Sequence, residues 1–137
     1  MNPEKKLIVL YFGNEIVPED RFALDVIDSI KGKFSKNIFV HPSSPEEIKD
    51  YSEYQNIIIV DVSPDVDDIV VFKGIGMLKK RRLFSLHDFD LNFFLKLAEK
   101  TGDIDTERIE IFALPIDGDL KKLGSKLHEL LIMRLSR

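Results

Sequence analysis

The sequence predicts a three-layer α/β fold: a doubly wound, mainly parallel five-stranded sheet with one antiparallel strand and helices on both faces. Three observations predict it. Short apolar runs alternate with amphipathic stretches, the pattern of βα units around a sheet. The runs Leu7 to Phe12 and Ile57 to Val60 are apolar at every position, as strands covered on both faces are. The stretch from Val62 to Ile69 is too short to hold a crossover helix. The strand after it must therefore run antiparallel to a neighbour, at an edge of the sheet.

Taken in order, Leu7 to Phe12 is the first strand, broken by the turn pair Gly13-Asn14. A helix then begins near Pro18-Glu19-Asp20, with proline at its start and acids in its first turn. Phe22, Ala23, Val26, Ile27, Ile30 and Phe34 fall on one face of it. Asn37 to His41 reads as a second strand stopped by Pro42, and Ser44-Pro45-Glu46-Glu47 opens a short helix. Ile57 to Val62 is a buried strand that ends in Asp61-Val62, and Ile69 to Phe72 is the fourth strand. A helix is expected from Ser85-Leu86-His87 to Gly102 and a fifth strand from Ile109 to Leu114, stopped by Pro115. The last helix spans Gly118 to Leu135, with Leu120, Leu123, Leu127, Leu130 and Leu131 as its core stripe.

A chain of 137 residues with no repeat, low-complexity tract or linker is expected to form one domain over 1–137. Its 44% hydrophobic and 32% charged residues are an ordinary globular composition. A net charge of −4 argues against nucleic acid as a partner, because phosphate binding needs a basic face. The dense basic run Lys79-Lys80-Arg81-Arg82 reads as a solvated loop, or as a contact for an acidic partner surface. With no cysteine there is no disulfide, thiolate catalyst or thiolate zinc site. The apolar run after Met1 to Lys6 is too short for a signal h-region or a bilayer span, so the expectation is a cytoplasmic protein without membrane insertion. A monomer is expected.

Three ionisable residues stand out by position. Asp20 follows the loop after the first strand, Asp61 ends the third, and His87 opens a helix. In an open parallel sheet such loops gather at the carboxyl edge, where ligands bind at the switch of strand order. With the usual 2-1-3 winding, Asp20 and Asp61 are expected to face each other there. Two carboxylates and an imidazole would suit nickel, zinc, manganese or iron and leave positions open for substrate. Each residue also has a plain structural reading: Asp20 favours the helix dipole, Asp61 caps the next turn, and His87 starts a helix. The residue pattern alone leaves both readings open.

The combination of motifs resembles the nickel–iron hydrogenase maturation endopeptidases. A hydrophobic strand running into Gly13-Asn14 and then the acidic pair Glu19-Asp20 resembles that family's opening. Ile58-Ile59-Val60-Asp61-Val62 is similar to its second acidic site, and Ser85-Leu86-His87 to its S/T-x-H helix start. Ser43-Ser44-Pro45-Glu46 is similar to a stretch of the formate-hydrogenlyase-type branch. The resemblance implies an endopeptidase that removes a C-terminal extension from a hydrogenase large-subunit precursor once nickel is in place. It implies that Asp20, Asp61 and His87 contact the nickel of the substrate precursor and serve as catalytic residues. No permanent cofactor is implied, although zinc or cadmium could occupy the same ligands. A catalytically silent assembly protein with the same contacts is the alternative.

The sequence also departs from that family. Arg21, Phe22 and Ala23 stand where glycines usually follow the acidic pair. His41-Pro42-Ser43 replaces an Asp-Gly-Gly, and Asp65 to Asp68 replaces a Pro-Gly turn. His41 reads as a turn histidine before proline, with a fourth ligand as the weaker reading, and His128 as a surface or boundary residue. Asp65, Asp67 and Asp68 lack EF-hand spacing and read as a solvated turn. The expected helix at Ser85 to Gly102 carries two apolar stripes, Leu91-Phe94-Leu95-Ala98 and Phe89-Phe93-Leu97, of which the second packs or binds a partner. A receiver-type phosphoacceptor domain would also place an aspartate at the end of a third strand. It needs an acidic pair after strand one and a lysine ending strand five, where Phe12-Gly13-Asn14 and Leu114-Pro115 stand instead.

Overall fold

In a computed structural model, residues 6–34, 38–42, 44–64, 66–73, 96, 97, 99–102 and 105–136 are described. The strands are β1 (Leu7–Tyr11), β2 (Phe39–Val40), β3 (Asn56–Val62), β4 (Val70–Lys73) and β5 (Ile109–Leu114). They form one sheet in the order β2-β1-β3-β5-β4. β1 pairs in parallel with β2 and β3, and β3 with β5, whereas β4 runs antiparallel to β5 at the edge. The 2-1-3 winding and the antiparallel edge strand agree with the sequence pattern. Boundaries differ by a residue or two. The second strand is the largest change: among the described residues of the expected Asn37 to His41, Phe39 and Val40 pair with β1.

Alternation along the central strands divides the core in two. Leu7, Val9, Tyr11, Ile58, Val60, Phe112 and Leu114 project to one face, while Ile8, Leu10, Ile57, Ile59, Ile109 and Ile111 project to the other. A sheet covered on both sides cannot place polar residues on alternate positions, which is why these strands read as unbroken apolar runs.

Helices α1 (Pro18–Lys31) and α2 (Leu120–Leu135) cover the first face. α1 contributes Ala23, Leu24, Val26, Ile27 and Ile30, and α2 contributes Leu123, Leu127 and Leu131. Leu120, expected in the α2 stripe, is instead 40% exposed. It is the first residue of the helix, ahead of the turn that reaches the core. The two helices pack at Gly124, where a Cβ would stand 2.8 Å from Ser29 Oγ. α2 is capped by Asp119, whose side chain accepts from the Lys122 N–H at 3.1 Å.

On the second face, the expected short helix is a 3₁₀ helix at Pro45–Tyr51 that buries Ile48 and packs Tyr51 against the strands. Residues 96, 97 and 99–101 are helical and are followed by Gly102 at φ 78°, close to the expected end of the helix that begins near Ser85. Leu97, of the second apolar stripe, is 49% exposed; the other residues of the two stripes, and the Lys79 to Arg82 run, lie outside the described residues. No described helix is long and apolar enough to cross a membrane.

Candidate functional site

β1 and β3 are neighbours whose connections leave in different directions, so the carboxyl edge between them is the switch point of the sheet. The ladder carries Tyr11 opposite Val60, and the Phe12 N–H continues it by donating to the Val60 carbonyl at 2.9 Å. Beyond these residues the chains part: Gly13 and Asn14 turn toward α1, and Asp61 and Val62 complete β3.

Asp20 lies in the first turn of α1 and is buried, 6% exposed. Pro18 opens the helix without needing an N–H partner, and the N-cap Val17 supplies no side-chain cap. The Asp20 carboxylate does not cap its own helix. Its Oδ2 accepts the Asn14 N–H at 2.8 Å, reaching back across the loop from β1. The Asn14 side chain in turn accepts the Ile16 N–H at 2.9 Å, an Asx turn that closes the loop. Gly13 is required here. Its φ is 157°, and a Cβ would meet Leu24 Cδ2 at 3.2 Å and Asp20 Cβ at 3.5 Å.

Asp61 is 2% exposed, and its Oδ1 accepts the Val62 N–H at 2.8 Å. In the β3 alternation it lies on the side of Ile57 and Ile59, whereas Asp20 comes from a helix on the side of Ile58 and Val60. Asp61 thus stands at the end of β3, and Asp20 in the first turn of the helix that follows the neighbouring β1. His87 lies outside the described residues. Among the described residues no group of three or more histidine, aspartate or glutamate side chains is gathered as a metal site.

A histidine does come to the β1–α1 loop. His41 follows β2, and its Nε2 lies 2.8 Å from the Gly13 carbonyl oxygen. A carbonyl only accepts, so Nε2 carries the proton and donates. The imidazole stacks on Tyr11, with centroids 4.8 Å apart and planes 17° from parallel. The Tyr11 hydroxyl accepts from Lys31 Nζ at 2.9 Å, and this bond holds the ammonium above its ordinary pKa. Phe12 to Ile16, His41 and Pro42 line an open cleft of about 520 Å³. The role of His41 in this loop could not be read from the sequence, because its partner is 28 residues away. His128 is a boundary residue, as expected: half-buried, with its ring 5.2 Å from that of Phe34.

The residues that replace the expected glycines after the acidic pair now have a structural account. Ala23 is buried and Phe22 packs against the first core, so both serve to seat α1 on the sheet. Arg21 is exposed and pairs with Asp25 one turn on.

No protein-family model and no curated protein matches the sequence. Solved structures do. The hydrogenase maturating endopeptidase HybD from E. coli superposes with a TM-score of 0.70 at 12% identity, over 96% of this chain and 92% of that one. The [NiFe] hydrogenase maturation protease HybD from Thermococcus kodakarensis gives 0.65 at 18% identity, over 96% and 99%. The maturation protease HycI from T. kodakarensis gives 0.58 at 16%, over 97% and 94%. The chain has the fold of these proteins across nearly its whole length.

Proposed function

We propose that this chain is an endopeptidase that removes the C-terminal extension of a nickel–iron hydrogenase large-subunit precursor, with the nickel of the substrate as its recognition signal. The observation that carries this reading is the pair of buried acids, Asp61 at the end of β3 and Asp20 in the first turn of the helix that follows the adjacent β1, in a fold shared with three hydrogenase maturation proteases. Fold alone assigns no chemistry. Open α/β sheets bind ligands at this kind of switch point, and acids placed near it support the assignment.

In this reading Asp20, Asp61 and His87 contact the substrate's metal as two carboxylates and a neutral imidazole, a donor set suited to nickel. Burial favours such contacts. Nearly sealed carboxylates interact more strongly with a cation than exposed ones, because the surrounding dielectric is low. The hydrogen bonds from Asn14 to Asp20 and from Val62 to Asp61 fix each carboxylate's orientation before substrate arrives. The metal would then polarise the scissile carbonyl or a water.

Incubation of the protein with nickel-loaded and nickel-free precursor tests the proposal. Cleavage of the loaded form alone is expected, and it should disappear in Asp61→Asn and His87→Ala. Binding of the loaded precursor without cleavage would favour the assembly protein instead.

A further inference from the structure

We infer that His41 is a positioning residue for this site: it holds the β1–α1 loop so that Asp20 keeps its orientation. The inference rests on the function proposed above for its activity readout. Its structural part stands on four contacts.

The peptide unit between Gly13 and Asn14 is gripped at both ends. Its carbonyl, on Gly13, accepts the His41 Nε2–H at 2.8 Å, and its N–H, on Asn14, donates to Asp20 Oδ2 at 2.8 Å. The two holds come from different elements, the residue after β2 and the first turn of α1. A planar peptide fixed at both its oxygen and its hydrogen cannot rotate without breaking one bond. The His41 bond therefore fixes the direction from which the N–H meets Asp20. The imidazole is itself held by its stack on Tyr11, whose hydroxyl is anchored by Lys31. His41 is exposed and adds little to the core. What it fixes is the loop that forms one wall of the open cleft and leads into the helix that carries Asp20.

Hydrogen bonds one step removed from a functional carboxylate commonly change activity by about 10- to 100-fold when lost. Glutamine can supply an N–H donor in place of Nε2–H but cannot titrate near neutrality. A positioning role therefore predicts rescue by glutamine, whereas a proton-transferring or metal-binding histidine does not.

The test compares the full chain with His41→Ala and His41→Gln by amide hydrogen exchange and by kcat and KM on nickel-loaded precursor. In His41→Ala the Asn14 amide should exchange about tenfold faster or more, with the melting temperature little changed. Its kcat should fall about 10- to 100-fold with KM nearly constant. His41→Gln should bring both back to within about threefold of the parent. Unchanged Asn14 exchange in His41→Ala overturns the inference, as does equal loss of kcat in both variants. If the parent protein cleaves no precursor, the proposed function fails while Asn14 exchange still decides the role of His41.

Discussion

The Asp20 carboxylate accepts the Asn14 N–H at 2.8 Å, so the acid at the start of α1 is bonded to the loop it follows and not to its own helix. This bond joins fold and site. It closes the β1–α1 connection and sets the direction of a buried carboxylate. Asp20→Ala should leave the Asn14 N–H without its charged acceptor and cost about 1.5–3 kcal/mol in urea unfolding. Asp20→Asn keeps an acceptor oxygen and should cost less. In the proposed function both variants should lose cleavage, which separates the charge from the hydrogen bond.

Glu110 on β5 and Arg134 on α2 form a buried pair, with Nη2 to Oε2 at 2.8 Å and Nε to Oε1 at 3.3 Å. Both side chains are almost sealed, and the guanidinium lies 5.2 Å from the Phe112 ring centre. Glu110→Leu alone leaves a buried cation without its partner and should cost about 3–5 kcal/mol. Adding Arg134→Met should recover most of that loss, since apolar replacement of a whole buried pair is often neutral. A double-mutant cycle by chemical denaturation checks this.

At the α1–α2 crossing, Gly124 stands so near Ser29 that an added Cβ would be 2.8 Å from the hydroxyl oxygen. That hydroxyl is held by its own bond to the Val26 carbonyl at 2.6 Å, so it cannot simply rotate away. Gly124→Ala should therefore lower the melting temperature despite the better helix propensity of alanine. Combined with Ser29→Ala, the same substitution should be neutral or stabilising by up to about 1 kcal/mol.

Asp68 in the loop before β4 accepts from Lys126 of α2 at 2.8 Å, and this bond holds its carboxyl below the ordinary value of 3.8. A carboxyl whose folded pKa is depressed stabilises the fold above its unfolded pKa. That contribution disappears as the pH falls through the folded value. Lys126→Met should raise the Asp68 titration midpoint, followed by NMR, toward 3.8. The accompanying stability change should be small and should shrink with salt, since both side chains are largely exposed.

Much of the sheet could be read from the chain because its signals are local. Unbroken apolar runs mark β1 and β3 as covered on both faces, and the short link after Val62 forces an antiparallel edge strand. Proline and acids mark the start of α1. The positions of Asp20 and Asp61 on the carboxyl edge follow from strand order and the usual winding. β2 is less clear: the strand expected from Asn37 to His41 is, among the described residues, the two-residue Phe39–Val40. Strand length depends on how long a neighbour stays in register, which no local pattern records.

The sequence by itself determined the layers, the winding and which ends of the strands carry acids. The fold alone decided what those acids hold. The Asn14–Asp20 bond spans 6 residues, the Glu110–Arg134 pair 24, and the His41–Gly13 contact 28. Hydrophobic periodicity is written into neighbouring residues, whereas a hydrogen bond needs a donor and an acceptor brought within about 3 Å at the right angle. Only the assembled sheet, with α1 packed on β1 and β2 laid beside it, brings a histidine, a glycine carbonyl and an aspartate to one turn.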